Sequence, residues 1–280
     1  MHRLREARGT PDRADRVMLA VAHQSSAFDR QVTAYMHATP AVARRDTGMA
    51  DLVRLLESTP ALAIVDELEN LVGVVSRTDL VTLGINRGRQ PGNAMQLPRL
   101  TAGDIMTCTV VTIPSTATIR AAAQAMGAHA IHRVYVTDQR MLVGVITAMD
   151  ITKAVRDARV TAELSTIMTS PPIMIGSKMS LGSAVDLLSR IRVSGLVVLD
   201  EDRPVGTFTH MEALAARDVP RWTSIEELYE PAVLCLLATS TLHSVASQLV
   251  RLDTQRVIAC AAREVVGIAT TLDFVRYVAW

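Results

Sequence analysis

Gly144-Val-Ile-Thr147-Ala-Met-Asp150 decides the reading of this chain, because it is written four times. The other copies are Gly73-Val-Val-Ser76-Arg-Thr-Asp79, Gly206-Thr-Phe-Thr209-His-Met-Glu212 and Gly267-Ile-Ala-Thr270-Thr-Leu-Asp273. Their glycines are spaced by 71, 62 and 61 residues. A second landmark upstream, Met36, Met106, Met168 and Tyr229, keeps nearly the same spacings of 70, 62 and 61. Two independent landmarks with one period mean an internal repeat, and a repeat must be recognised before any other fold argument. The longer first interval falls mainly in 84–100, rich in Gly, Pro and Asn, which is expected to be a loop.

The second copy shows the unit most clearly. Val110 to Ile113 is a short β-type run, broken by Pro114 and Ser115. Thr118 to Met126 is an alanine-rich helix. Val134 to Val136 carries the β-branched and aromatic residues that favour strands. Thr137 to Arg140 is a polar turn, Leu142 to Ile146 a second strand, and Ala148 to Arg156 a helix capped by Thr147. Each unit is therefore β-α-β-β-α. A unit that small buries too little surface alone, so the units are expected to pair.

The composition supports a folded α/β protein. Of 280 residues, 49% are hydrophobic, 20% charged and only 3% aromatic, so the core must be built from Ala, Val, Leu, Ile and Met. The net charge of +1 gives no global pull toward nucleic acid or membrane. The apolar run Ala232 to Ala238 is far short of the ~20 residues that span a bilayer. Cys108, Cys235 and Cys260 form no CxxC pair, which fits a reducing, cytoplasmic setting. No phosphate-binding G-x-x-x-x-G-K-[ST], G-x-G-x-x-G or G-x-S-x-G sequence occurs, and no His pair has H-E-x-x-H spacing. Neither catalytic nor metal-ligating residues are assigned, and an enzyme is not expected.

The Gly-x-x-Ser/Thr-x-x-Asp ending and the Ile-Met-Thr openings at Ile105-Met106-Thr107 and Ile167-Met168-Thr169 resemble the CBS domain. The resemblance covers roughly residues 30–280. It implies four CBS repeats paired into two Bateman modules, as in the γ regulatory subunit of AMP-activated protein kinase, packed as a flat pseudo-symmetric disk. The expected divisions are a basic arm and helix over 1–30, repeats over 31–86, 101–158, 159–218 and 219–280, and a loop over 87–100. The disk is expected to form within one chain or as a homodimer.

The Ser/Thr-x-x-Asp spacing has two physical readings. The hydroxyl sits where a strand enters a helix, whose first amides suit a phosphate, and the acid one turn on can accept from a ribose diol. Alternatively, the acid returns to the cap amide as a capping box. The resemblance implies the first reading, with Asp binding ribose and Ser/Thr lying near phosphate. It makes an adenine nucleotide (AMP, ADP or ATP) a regulatory ligand, with no cofactor required. The implied sites use Thr147, Asp150, His132 and Arg133; Ser76 and Asp79; and Thr270, Asp273 and Arg256. His132-Arg133 matches a phosphate-contacting His-Arg pair of the kinase γ subunit. Counting back 11 residues from each glycine places Leu62 and Gly195 where the even repeats have Arg133 and Arg256. Glu212, with Thr209, stands where Asp is expected, and that third site is expected to be weak or empty. The resemblance also implies that the base lies along Thr107 to Val111 in the second repeat and His37 to Ala41 in the first.

With roughly residues 30–280 given to repeats, any regulation is expected to act on a partner in trans, a protein or a ribonucleoprotein. Arginines outnumber lysines 27 to 2. Arg3, Arg5 and Arg8 in the N-terminal arm, and Arg87 and Arg89 in the loop, are candidate polyanion contacts. They support an alternative in which the protein docks on RNA or a ribosome. A helix starting at Thr10-Pro11 is expected to pack on the first repeat. No membrane contact is expected.

Overall fold

The computed structural model describes residues 27–87, 97–191, 193, 195–201, 203–262 and 264–280. The helix expected after Thr10-Pro11 lies outside them. Among the described residues, four three-stranded sheets follow one another along the chain. The first holds β1 (Val42–Arg44), β2 (Ala61–Val65) and β3 (Leu71–Ser76), with α1 (Met49–Ser58) and α2 (Arg77–Arg87). After a short α3 (Ala102–Ile105), the second holds β4 (Thr112–Ile113), β5 (Arg133–Asp138) and β6 (Met141–Thr147), with α4 (Ile119–His129) and α5 (Ala148–Asp157). The third holds β7 (Met174–Gly176), β8 (Gly195–Asp200) and β9 (Arg203–Thr209), with α6 (Leu181–Ile191) and α7 (His210–Ala215). The fourth holds β10 (Cys235–Leu237), β11 (Arg256–Ala261) and β12 (Glu264–Thr270), with α8 (Leu242–Leu252) and α9 (Thr271–Ala279).

Local chemistry explains the elements. In α4, Ile119, Ala122, Ala123 and Met126 fall on one buried face at helical spacing. Thr118 caps its start by accepting from the Ala121 amide, and Ala130 ends it in the left-handed region at φ 51°. The β5–β6 hairpin turns through Gln139 and Arg140, both at positive φ, as a two-residue turn matched to strand twist requires. In every sheet the first pair of strands is parallel and the second antiparallel. Each hairpin also shifts register at the same place, just beyond the residue opposite the repeat glycine. One expectation needs correcting: 84–87 is not loop, because α2 runs on to Arg87.

The repeats close into a ring through two kinds of contact. Helices of the second and fourth repeats share one core, with Ile119, Met126, Ile151, Leu249 and Phe274 fully buried. Helices of the first and third share another, around Leu52, Leu56, Leu80, Leu188 and Phe208. Sheets join the remaining neighbours. Ala63, Tyr135 and Val145 bury a seam between the first and second repeats. Backbone bridges Thr169 to Ile268 and Thr207 to Glu230 join the third and fourth.

The two sequence landmarks meet across these sheet seams. A Cβ on Gly144 would lie 2.9 Å from Met36 Sδ, and one on Gly73 would lie 2.4 Å from Met106 Sδ. In the other pair, Gly267 faces Met168 at 2.6 Å and Gly206 faces the Tyr229 ring at 2.2 Å. Each glycine leaves room for the opening residue of its partner repeat, never its own, so both landmarks had to keep one period.

Candidate functional site

The four hydroxyl–acid pairs all form capping boxes. The Asp150 Oδ2 accepts from the Thr147 amide at 2.9 Å and the Thr147 hydroxyl at 2.7 Å. Asp79 does the same for Ser76, at 2.7 Å from both. Asp273 accepts from the Thr270 amide at 2.7 Å and its hydroxyl at 2.9 Å. Glu212 accepts from the amide and hydroxyl of Thr209. The acids therefore finish their own helices first, as the capping reading required. The second oxygen of Asp150 accepts from Lys153 Nζ at 2.8 Å and lies 3.2 Å from His37 Nε2. Asp150 is fully buried. Of the first amides of α5, that of Ala148 is given to the His132 carbonyl, which leaves less of this helix start for an anion than the sequence suggested.

A cleft of about 340 Å³ nevertheless opens beside this motif. Thr147, Ala148 and Met149 form one wall, His132, Arg133 and Tyr135 the floor, and His37 to Ala41 with Thr59 to Ala61 the facing wall. Gln255 and Thr271 reach it from the fourth repeat. The segment facing the second repeat's motif is thus His37 to Ala41 of the first repeat, held by the His37–Val145 bridge. Thr107 pairs instead with Val74 of the first repeat. The opening segments are thus exchanged within each pair, each facing the motif of its partner repeat.

Burial sets the electrostatics. The His132 imidazole is held down to about 4, first by burial and then by Arg133 and Arg256. It is therefore neutral near pH 7, and its Nδ1 is buried with no hydrogen-bond partner. Arg133, shifted down by burial and up by Tyr135, reaches the Ala61 carbonyl at 3.5 Å. Arg256 is likewise shifted down by burial and up by Glu212. His210 is lowered by burial and by Arg256. Arg77 lies between Glu212, which raises it, and Arg133, which lowers it, after burial as the larger cause.

The structure brings Thr147, His132 and Arg133 to one cleft and sets Asp150 behind it. Arg256 does not line this cleft; it faces the third repeat. Strand register also corrects a position. Thr147 pairs with Arg133 and Thr270 with Arg256, whereas Ser76 pairs with Ala61, not Leu62. The first hairpin is one residue longer, which misleads a count from Gly73. Sequence reasoning missed Lys153, Tyr135, Arg77 and Arg276, and it placed His37 on the base-facing segment without its contact to Asp150. One signal was present: Lys153 and Arg276 both stand three residues after the acid, and Arg276 donates to Asp273 Oδ1 at 2.9 Å. Arg3, Arg5, Arg8 and Arg89, and the side chain of Arg87, lie outside the described residues. Among the described residues no cluster of three His, Cys, Asp or Glu could hold a metal ion, and no helix is long and apolar enough to cross a membrane.

Known proteins share this architecture. Protein MJ1225 from Methanocaldococcus jannaschii, proposed as an archaeal homolog of γ-AMPK, superposes with a TM-score of 0.76 at 18% identity, over 89% of this chain and 99% of that one. An uncharacterized conserved protein from Pyrococcus horikoshii gives 0.64 at 16% identity, over 89% and 100%. At these identities the likeness shows the fold. A homoserine O-acetyltransferase from Methanocorpusculum labreanum is 34% identical over 124 residues, 44% of this chain and 25% of that protein. The chain thus spans about a quarter of that curated relative's length. The CBS domain profile matches residues 32–85, 102–157 and 164–218, more than half of the chain. Residues 219–280 lie beyond those matches but repeat the strand order, the register shift and the close approach at the glycine of the preceding unit. With three matched domains and a fourth unit of the same build, the chain belongs to the CBS domain family.

Proposed function

We propose that the chain is a regulatory protein that binds an adenine nucleotide between its first and second repeats and acts on a partner in trans, without catalysis of its own. The observation that carries this reading is the floor of the 340 Å³ cleft: a buried, unpartnered His132 Nδ1 beside the Arg133 guanidinium. An unpaired polar atom in a buried site is costly, and a guanidinium grips phosphate at two points. The volume lies at the small end of the ~300–1,000 Å³ usual for ligand pockets, which suits a mononucleotide. The phosphate would lie on Arg133 and His132, and the base along His37 to Ala41. A ribose hydroxyl, a donor like His37, would take the place of that half-exposed ring at Asp150 Oδ1. For regulation, nucleotides must differ in affinity between conformations of the ring.

Equilibrium binding of AMP, ADP and ATP tests the site. Asp150→Ala is a poor probe, because it also removes a helix cap. Arg133→Gln is the better one and is expected to weaken binding at least about tenfold, the order of one charge-assisted contact. Failure of the wild-type chain to bind any of the three would overturn the reading. Co-purification of the native protein, with bound partners identified by mass, tests action in trans.

A further inference from the structure

Two of the chain's three cysteines meet on the sheet of the fourth repeat. Cys235 starts β10, and Cys260 lies near the end of β11. The two strands run parallel, with Cys235 opposite Ile258 and Leu237 opposite Cys260. Side chains alternate along a strand, so Cys235, Leu237, Ile258 and Cys260 project from one face. It is the face turned from the helices, because Val257 and Ala259, the alternate residues of β11, lie in the helical core. The thiols are therefore diagonal neighbours across one strand gap. Cys235 is exposed and Cys260 half-buried. Desolvation first, and the neighbouring Cys260 thiol second, push the Cys235 thiol up to about 11. The same diagonal holds Val42 and Val65 in the first repeat, Thr112 and Thr137 in the second, and Met174 and Leu199 in the third. Two thiols occupy it in the fourth alone.

Spacing decides what this pair can do. One strand gap of about 4.8 Å and two rises of about 3.3 Å put the Cα atoms about 8 Å apart. A disulfide needs them within about 6.8 Å. β11 is the middle strand of its sheet, with Val257 and Ala259 fully buried, so it has no room to slide closer. A bridging ion asks for less, since two metal–sulfur bonds of about 2.3 Å in line span about 4.6 Å. Side chains leaning toward each other along the diagonal reach that separation. Among the described residues no third His, Cys, Asp or Glu joins them, so a four-coordinate zinc site is not supplied. Soft thiolate ligands select monovalent copper. We infer that Cys235 and Cys260 form a two-coordinate site for a soft d10 cation, Cu(I). Binding breaks two S–H bonds, forms two Cu–S bonds and releases two protons to water, with no change of oxidation state. Neither cysteine lines the cleft beside Thr147, so the inference goes beyond the nucleotide reading and does not depend on it.

The test titrates Cu(I), as its acetonitrile complex, into the reduced full chain under argon and without nucleotide, with bicinchoninate as competing chelator. The wild type is expected to take one equivalent per chain from the chelator, with thiolate-to-copper absorption in the ultraviolet. Cys235→Ser and Cys260→Ser are each expected to weaken that equivalent by more than the ~10–100-fold that outer-shell changes cost. Cys108→Ser is expected to leave it unchanged. No uptake by the wild type, undiminished uptake after either of the first two changes, or loss of it in Cys108→Ser overturns the inference. So does one copper shared between two chains in native mass spectra. If Cys260→Ser melts early, Cys260→Ala takes its place. Cu(I) is also expected to raise the melting temperature of the wild type and not of Cys235→Ser, and an equal rise in both overturns the site. A wild-type chain that binds no AMP, ADP or ATP would sink the nucleotide reading and leave this result standing.

Discussion

Acidification should destabilise the chain through His132. In the folded state this imidazole is held at about 4, against its ordinary 6.5, by burial and by Arg133 and Arg256, with Arg276 adding to the effect and Asp273 opposing it. A depressed folded-state value means that the unfolded chain takes up the proton first. The contribution is complete above about 6.5 and is lost as pH falls toward 4. A difference of roughly 2.5 units at about 1.36 kcal/mol each gives a loss of about 3 kcal/mol across that window. Urea denaturation of the wild type and His132→Gln from pH 7.5 to 4.5 isolates it, because every other ionisable group, His210 included, is common to both. The wild type is expected to lose about 2–3 kcal/mol more than the variant. Parallel stability curves would refute the argument. Under the nucleotide reading, saturating ATP would place phosphate beside the ring and is expected to flatten the difference.

Gly206→Ala forces a methyl to 2.2 Å from the Tyr229 ring and 2.5 Å from the Glu230 carbonyl. It should cost about 1–3 kcal/mol in chemical denaturation, whereas Gly176→Ala, with nothing within 4 Å, should cost well under 1 kcal/mol. Asp150→Ala removes a buried cap and should lower stability by about 1–3 kcal/mol without any ligand present; a wild-type melting curve would contradict the capping role. Under the nucleotide reading, His37→Ala leaves Lys153 alone on Asp150 Oδ1, opens the His37 place to a ribose hydroxyl, and is expected to tighten binding of AMP but not of 2′,3′-dideoxy-AMP. Equal gains for both would remove Asp150 from ribose recognition.

Much of the fold was written in local pattern. Thr147, Asp150 and the run from Val134 to Val136 marked a strand-to-helix junction that the structure contains, and the repeat period set the number of units. Partnership was harder to read. Met36 and Gly144 belong to different repeats, and nothing in a spacing says which glycine a methionine will cover. Side-chain reach was likewise hidden. Arg256 looked equivalent to Arg133, yet one lies over Gly195 of the third repeat and the other lines an open cleft, because Gly195 and Ala61 leave different room beneath them. The shift from Leu62 to Ala61 shows how a hairpin lengthened by one residue defeats counting. Lys153 went unnoticed for another reason: its role exists only once the helix places it over Asp150.

The reciprocal covering of each glycine by its neighbour's opening residue constrains how such a chain can grow or shrink. Deleting a single repeat would strip the surviving one of the side chain that seals its sheet, and would leave its own methionine or tyrosine bare. Lineages built this way should therefore gain or lose units by twos, and a recombination breakpoint between Asp157 and Glu163 should be tolerated where one between Arg87 and Thr101 is not.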